Sequence, residues 1–355
     1  MAINLKQIQV NTPQVALEDY FWLIAGVPKS GKTSLFAKLT EQYFGDTSKS
    51  LLLAFEKGYQ ALRVQAQDVK DWDDMEEIVE QLVDDKEELG IKLIGIDTAD
   101  IMWEMAQASV IQEWNAKNPQ KRTKDIGGVG AKGKSDQGFG AGYNLAKAKI
   151  RESLDKLMKA GYGIMVLTHS KDKKVEQKDG LEYDQLNVSL ASSAREIFVN
   201  MADFIIFITV EKKQVGTNIE TKRYMYFRSD GYVEAGSRFK HVPERIEYSI
   251  PEFLAAFKHA VEAEFESGVD LEQIKKEQAE RREAAAKEFI EQQKSEPTAD
   301  ELIAVLDVKM KAFTKAEKQG LVEVFKEILG GNANYKIVED VALLQKCVDH
   351  LATLE

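Results

Sequence analysis

The stretch that most constrains this chain is residues 21–34, FWLIAGVPKSGKTS. A short apolar run passes straight into Gly26, Val27, Pro28, Lys29, Ser30, Gly31, Lys32 and Thr33, followed by Ser34. The first eight fit G-x-x-x-x-G-K-[ST], which average residue usage yields in roughly 1 in 100 chains of this length. The spacing has a chemical reason. Glycine lets the backbone wrap closely, so successive N–H groups face an anion. A helix starting near Lys32 adds the positive end of its dipole to the same anion. Lys32 then reaches β- and γ-phosphates, and the Thr33 hydroxyl completes a Mg²⁺ shell. Residues 26–34 are therefore expected to bind a nucleotide triphosphate.

The rest of the chain arranges itself around that loop. Residues 1–20 read as a lead-in with one edge strand. Apolar runs at 21–25, 50–55, 91–96, 163–168 and 204–210 read as buried strands. Helical patterns lie between them, at about 32–44, 73–88, 99–116, 145–160 and 192–200. This alternation predicts an α/β fold, a parallel sheet with helices on both faces. Residues 221–227 and 232–235 read as added antiparallel strands. Ligands of such sheets bind beyond the carboxyl ends of the strands. Gly31, Glu56, Asp97 and His169 each follow a strand, so they should share one rim.

Each of these residue types suits a task. Asp97 ends the apolar run IKLIGID, where a carboxylate orients the water around Mg²⁺. Glu56, 24 positions after Lys32, can orient and deprotonate an attacking water; its plain alternative is an exposed loop residue. His169 can sense the γ-phosphate, or simply be a satisfied structural histidine. The four histidines and single cysteine lack metal-ligand spacing, which argues against zinc.

Two further segments suggest nucleic acid. Residues 118–144 are rich in Gly and Lys and have no apolar period. With the preceding Lys117 they carry Lys121, Arg122, Lys124, Lys132 and Lys134, interleaved with Phe139 and Tyr143. Residues 170–190 form a second polar loop or hairpin with Lys171, Lys173 and Lys174. Cations can follow a phosphate backbone while aromatic faces stack on bases. A flexible lysine-rich lid is the alternative.

Charge is compatible with that partner. Net charge is −11, but residues 261–355 hold 13 Lys/Arg against 21 Asp/Glu and account for −8 of it. The first 260 residues are thus near neutral and can carry local basic patches. Cys347 excludes an internal disulfide, fits a reducing compartment and reads as a core residue. The start lacks signal-peptide form, and the longest apolar run is too short to span a bilayer, so a cytoplasmic protein without membrane partners is expected. Three parts are expected: a core over 1–260, a charged, solvated helical linker over 261–296, and a small helical module over 297–355 broken at Gly330 and Gly331.

The order of phosphate loop, Glu56, Asp97 and strand-end His169 resembles the RecA-type ATPase core. Within it, DIGGVGAKGKSDQGFGAGYN, VLTHSK and MADFIIFI make the chain similar to phage AAA-type ATPases of the RecA-like Sak group, over about residues 20–245. The resemblance implies a RecA-like core using ATP and Mg²⁺. Gly26 to Thr33 would bind ATP, Glu56 would activate water, Asp97 would assist Mg²⁺ and His169 would be the sensor. It further implies a single-strand annealing or recombination protein of the host cytoplasm. Such a protein acts on single-stranded DNA as a ring or filament, with a single-strand-binding protein as companion. RecA-like relatives place a Lys-x-Arg-Phe segment in trans. Here Gly236, Ser237, Arg238 and Phe239 correspond, with glycine in place of the usual lysine. Arg238 is the expected finger, with Lys222, Arg223 or Arg228 as substitutes. Two other readings compete: a nucleotide-gated DNA-binding or loading scaffold in phage replication, and a small-molecule phosphotransferase.

Overall fold

A computed structural model describes residues 11–354 except 132–137, 177–179, 181, 216–217, 296, 298, 332 and 339. Strand β1 (Phe21–Gly26) is buried along its length, as an all-apolar run between two parallel neighbours must be. The chain continues through α1 (Lys32–Phe44), β2 (Ser50–Ala54), β3 (Ala66–Asp68), α2 (Trp72–Asp84), α3 (Lys86–Leu89), β4 (Leu93–Asp97) and α4 (Ala99–Lys117). Then come α5 (Ala141–Lys159), β5 (Gly163–Glu176), β6 (Glu182–Val188), α6 (Ser192–Met201), β7 (Phe204–Val215) and β8 (Asn218–Tyr226). Strands β9 (Gly236–Ser237) and β10 (Arg245–Glu247) precede α7 (Ile250–Glu262).

The sheet runs β10-β8-β7-β1-β5-β4-β2-β3, with β6 on β5 and β9 on β7. Strands β7, β1, β5, β4, β2 and β3 are parallel, and β8 adds antiparallel to β7. One strand, β5, stands between β1 and β4. This is the RecA-like core that the order of motifs suggested, with added antiparallel strands.

Alternate side chains leave the sheet on opposite faces. On one face Trp22, Ile24, Met165, Leu167, Phe204 and Ile206 meet Leu35, Phe36 and Leu39 of α1 and Phe253 and Phe257 of α7. Trp22 stacks on Phe204 with ring centroids 4.2 Å apart. Gly95 lets α1 settle on β4, because a Cβ there would lie 2.7 Å from the Phe36 ring. Helices α2, α4, α5 and α6 form the opposite layer.

Two strands overrun the sheet. Gly26, the last residue of β1, pairs with His169 and with Ile208. Beyond those positions β5 forms a hairpin with β6, and β7 one with β8, both on the carboxyl rim. The polar segment 170–190 is thus largely a hairpin.

Elsewhere the structure departs from the sequence reading. Residues 232–235 form no strand; Val233 makes one isolated bridge to Leu186. Residues 11–20 contain a 3-10 turn, Leu17–Asp19, rather than an edge strand, and residues 1–10 lie outside the described set. Within the segment 118–144, the described residues Ile126 and Val129 are buried around a short turn, Ile126–Gly128, although no apolar period marks it. Gly142 admits this turn, since a Cβ there would sit 2.3 Å from the Ile126 carbonyl oxygen.

Helix α8 (Leu271–Ser295) departs further from the expected solvated linker. Gln278 is 8% exposed; its Nε2 donates to the Pro13 carbonyl at 2.8 Å and its Oε1 accepts from the Val15 N–H at 3.0 Å. Arg282 pairs with Glu18 and Asp19. Polar side chains carry most of the docking face, with Ala286 buried beside Gly161, so no apolar stripe marks it in the sequence. The division between compact units falls between Lys287 and Glu288, inside α8.

The second unit contains α9 (Ala299–Ala312), α10 (Lys315–Ile328) and α11 (Val341–Ala352). Leu306, Phe325, Leu344, Cys347 and Leu351 form its core. Gly330 and Gly331 adopt positive φ just past the end of α10. Among the described residues no helix is long and apolar enough to cross a membrane.

Candidate functional site

Parallel register fixes the site. Ala54 pairs with Asp97, Asp97 with Leu167, and Gly26 with His169, which puts the ends of β1, β2 and β4 and the middle of β5 on one rim. The N–H of Phe55 and that of Glu56 both donate to the Asp97 carbonyl, at 2.8 and 3.2 Å, so the two acidic residues are tied through their backbones. Lys32, Thr33, Glu56, Asp97 and His169 line a single cleft of about 650 Å³, together with Pro28, Lys29, Gly31 and Ser34 of the loop. Lys57 and Gly58, which the sequence reading passed over, complete the wall.

The loop itself is tightly built. Gly31 has φ +109° where it caps α1, and Lys29 also sits at positive φ. A Cβ at Gly26 would lie 2.5 Å from Ser30 Oγ and 2.9 Å from the Ile208 carbonyl oxygen. Lys32 is 6% exposed, and its ammonium donates to the carbonyls of Gly26 and Val27 at 2.9 and 3.2 Å. Val27, by contrast, points to solvent. Tyr248 Oη donates to the Gly31 carbonyl at 2.8 Å, a brace from a residue 217 positions downstream.

Burial disfavours charge on both Lys32 and Asp97. Burial pulls the Lys32 ammonium below its usual range, while Asp97, Glu56 and Asp100 pull it back. Burial pushes the Asp97 carboxyl above the usual carboxylate range, and Glu56 adds to that push. The Thr33 hydroxyl opposes it by donating to Asp97 Oδ2 at 2.7 Å, as do the charge of Lys32 and the proximity of His169. Asp97 Oδ1 is buried and finds no hydrogen-bond partner among the described residues. A divalent cation fits this arrangement: Thr33 and Asp97 are hard oxygen donors side by side, with one carboxylate oxygen unsatisfied.

Asp100 was not read from the sequence. It sits in the first turn of α4, and its Oδ2 accepts from Thr168 Oγ1 at 3.0 Å and from the His169 N–H at 3.1 Å. The same oxygen lies 3.3 Å from His169 Nδ1. The only sequence signal is an acidic residue in a helix's first turn, which dipole pairing already explains.

The finger candidates, expected to act in trans, lie away from this chain's own cleft. Arg238 lies where β9 meets the start of β7, at the opposite end of the strands from Lys32, and pairs with Asp203 at 3.2 Å. Arg228 reaches the Phe239 carbonyl, and Lys222 pairs with Glu247 at 3.5 Å. Arg223 is exposed on β8, and its carbonyl accepts from the Tyr248 N–H.

The lysine-bearing segments separate. Lys171, Lys173 and Lys174 are exposed on the β5–β6 hairpin just beyond His169. Lys121, Arg122 and Lys124 are exposed elsewhere: Trp114 Nε1 donates to the Lys121 carbonyl, and Asn115 bonds Thr123 through both its amide groups. Those anchors lie in the last turn of α4, about 24 Å along the helix from the Asp97 rim. Phe139 is 97% exposed at positive φ, while Tyr143 stacks on Trp103. Lys132 and Lys134 lie outside the described residues.

A phosphate-binding loop on a central parallel strand, with acidic residues at the ends of neighbouring strands, defines a P-loop NTPase of RecA-like fold. The family profile described as an AAA domain matches residues 18–239, and the chain belongs to that family. Among solved structures the chain is similar to a KaiC-like protein from the hyperthermophilic archaeon Pyrococcus horikoshii OT3, at 12% identity and a TM-score of 0.34. That likeness covers 65% of this chain and 91% of the other; the strand order, with β5 between β1 and β4, defines the fold. No curated protein matches the chain in sequence.

Proposed function

We propose that the protein is a Mg²⁺-dependent ATPase acting on single-stranded DNA in phage recombination or annealing, as a ring or filament of identical copies. The meeting of Lys32, Thr33, Glu56 and Asp97 in one cleft carries the hydrolytic half of this reading. Lys32 would exchange its bonds to the Gly26 and Val27 carbonyls for phosphate oxygens. Mg²⁺ held through Thr33 and Asp97 would neutralise charge on the β- and γ-phosphates. Glu56 would orient the attacking water and take its proton.

The DNA half is supported by the β5–β6 hairpin. Its exposed lysines continue the strand that ends the cleft at His169, and the Ser189 N–H donates to the His169 carbonyl at 2.7 Å. A γ-phosphate sensed at His169 would thereby alter the root of the hairpin, coupling nucleotide and DNA affinity. Phe139 offers a free ring for base stacking. Lys121, Arg122 and Lys124 support it less, because they are anchored far from this rim. Arg238, turned from its own cleft, would serve a neighbour's ATP in trans after leaving Asp203. The Sak-group assignment and a single-strand-binding companion rest on the resemblance alone.

The test is ATP hydrolysis by the full chain, with and without a single-stranded oligonucleotide, over a range of protein concentrations. DNA-stimulated turnover that falls to background in Lys32→Ala and Glu56→Gln is expected. Equal rates with and without DNA at every concentration would remove the DNA reading. Annealing or partner loading that survives in Glu56→Gln would favour the scaffold over the motor.

A further inference from the structure

We infer that Asp100 is the positioning residue for His169: it selects the ring's tautomer, turns Nε2 toward the nucleotide cleft and anchors the root of the β5–β6 hairpin. The inference rests on the nucleotide reading of that cleft.

Three groups converge on one carboxylate oxygen: the Thr168 hydroxyl, the His169 N–H and His169 Nδ1. The Asp100 and His169 side chains are 19% and 26% exposed, so water competes weakly for these bonds. An ionised carboxylate has no proton to give, so in its contact with the ring the donor is Nδ1–H, and the proton sits on Nδ1. Nε2 is then the nitrogen left for the cleft, whose wall His169 forms. Dipole pairing at the start of α4 would be satisfied by a carboxylate pointing at its own helix. Here the oxygen instead crosses to β5, where it holds two consecutive residues. The His169 carbonyl is meanwhile held by the Ser189 N–H at 2.7 Å. Ring and hairpin root are therefore fixed by one side chain, which follows Asp97 by three positions.

The experiment uses the full chain labelled with ¹⁵N-histidine. Long-range ¹H–¹⁵N correlations report which ring nitrogen carries the proton, and His169→Gln identifies the signal among the four histidines. The parent should show the Nδ1-protonated ring. Asp100→Leu should move the ring toward the Nε2–H tautomer and lower kcat about 10–100-fold, the loss typical of an orienting partner, with affinity for a fluorescent ATP analogue within about threefold. Asp100→Asn keeps an amide oxygen in place, so it should restore the tautomer and most of kcat. Tryptophan-detected melting confirms folding, and Asp100→Ala takes the place of the leucine variant should that one not fold. An unchanged tautomer in the disruptive variant overturns the inference. So does a loss of nucleotide affinity as large as the loss of turnover. The tautomer readout needs no hydrolysis, so a parent protein inert toward ATP would refute the nucleotide reading while leaving Asp100's hold on the ring to be judged separately.

Discussion

Replacing Asp97 by Asn should stabilise the nucleotide-free protein while removing its function. Asp97 is 1% exposed; its carboxylate accepts from Thr33 at 2.7 Å, and its Oδ1 has no partner among the described residues. Burial, reinforced by Glu56, raises its carboxyl above the usual range, so the fold prefers the neutral form. A buried polar group left unsatisfied costs about 1–3 kcal/mol, and more when charged. Asn keeps a carbonyl oxygen for Thr33 and removes the charge, for a gain of about 1–2 kcal/mol. In a unit spanning Met1–Lys287 that is a rise of about 2–3 °C in Tm. All four tryptophans (Trp22, Trp72, Trp103 and Trp114) lie in the first compact unit, so their fluorescence follows that unit alone. The assay is tryptophan-detected melting at pH 8 in EDTA, then with Mg²⁺ and ATP. The sign with pH follows from the raised carboxyl. Its penalty is present in full above the folded-state value and disappears as pH falls through that value, so the variant's advantage shrinks toward acid. Mg²⁺–ATP should raise the melting point of the parent and not of the variant. A variant that melts below the parent at pH 8 without nucleotide would refute the reasoning.

Two further outcomes follow from geometry. Gly95→Ala puts a Cβ 2.7 Å from the Phe36 ring and 2.8 Å from Leu52 Cδ1, and should cost about 1–3 kcal/mol in the same melting assay. Phe139→Gly should leave the melting point level or raise it, because Phe139 is 97% exposed at φ +48°. The same variant should lose about 1–3 kcal/mol of affinity for a single-stranded oligonucleotide, measured by fluorescence anisotropy, if the ring stacks on a base.

The cleft was legible because each of its main residues follows an apolar run, and parallel strands bring their ends together whatever the loops do. Glu56 and Asp97 are far apart in sequence, yet they are joined by the Asp97 carbonyl. Asp100 was not legible, since an acidic first-turn residue looks the same whether it faces its own helix or a neighbouring strand. Tyr248 was hidden by distance along the chain. Strands β7 and β8 run past the point where apolar pattern stops, because beyond Ile208 no β1 partner buries them. The docking of α8 was masked by its chemistry: Gln278 and Arg282 make its hydrogen bonds and ion pairs, such residues read as solvated, and Ala286 between Ala285 and Lys287 makes no stripe.

The central claim is that residues 26–33 close on a triphosphate beside Asp97. Titration calorimetry of a slowly hydrolysed ATP analogue, with and without Mg²⁺, into the parent and Lys32→Ala tests it most directly. The account predicts one Mg²⁺-dependent site per chain, weakened about 10–150-fold by the substitution, as expected for losing a charge-assisted hydrogen bond. Equal affinity in the two proteins would contradict it.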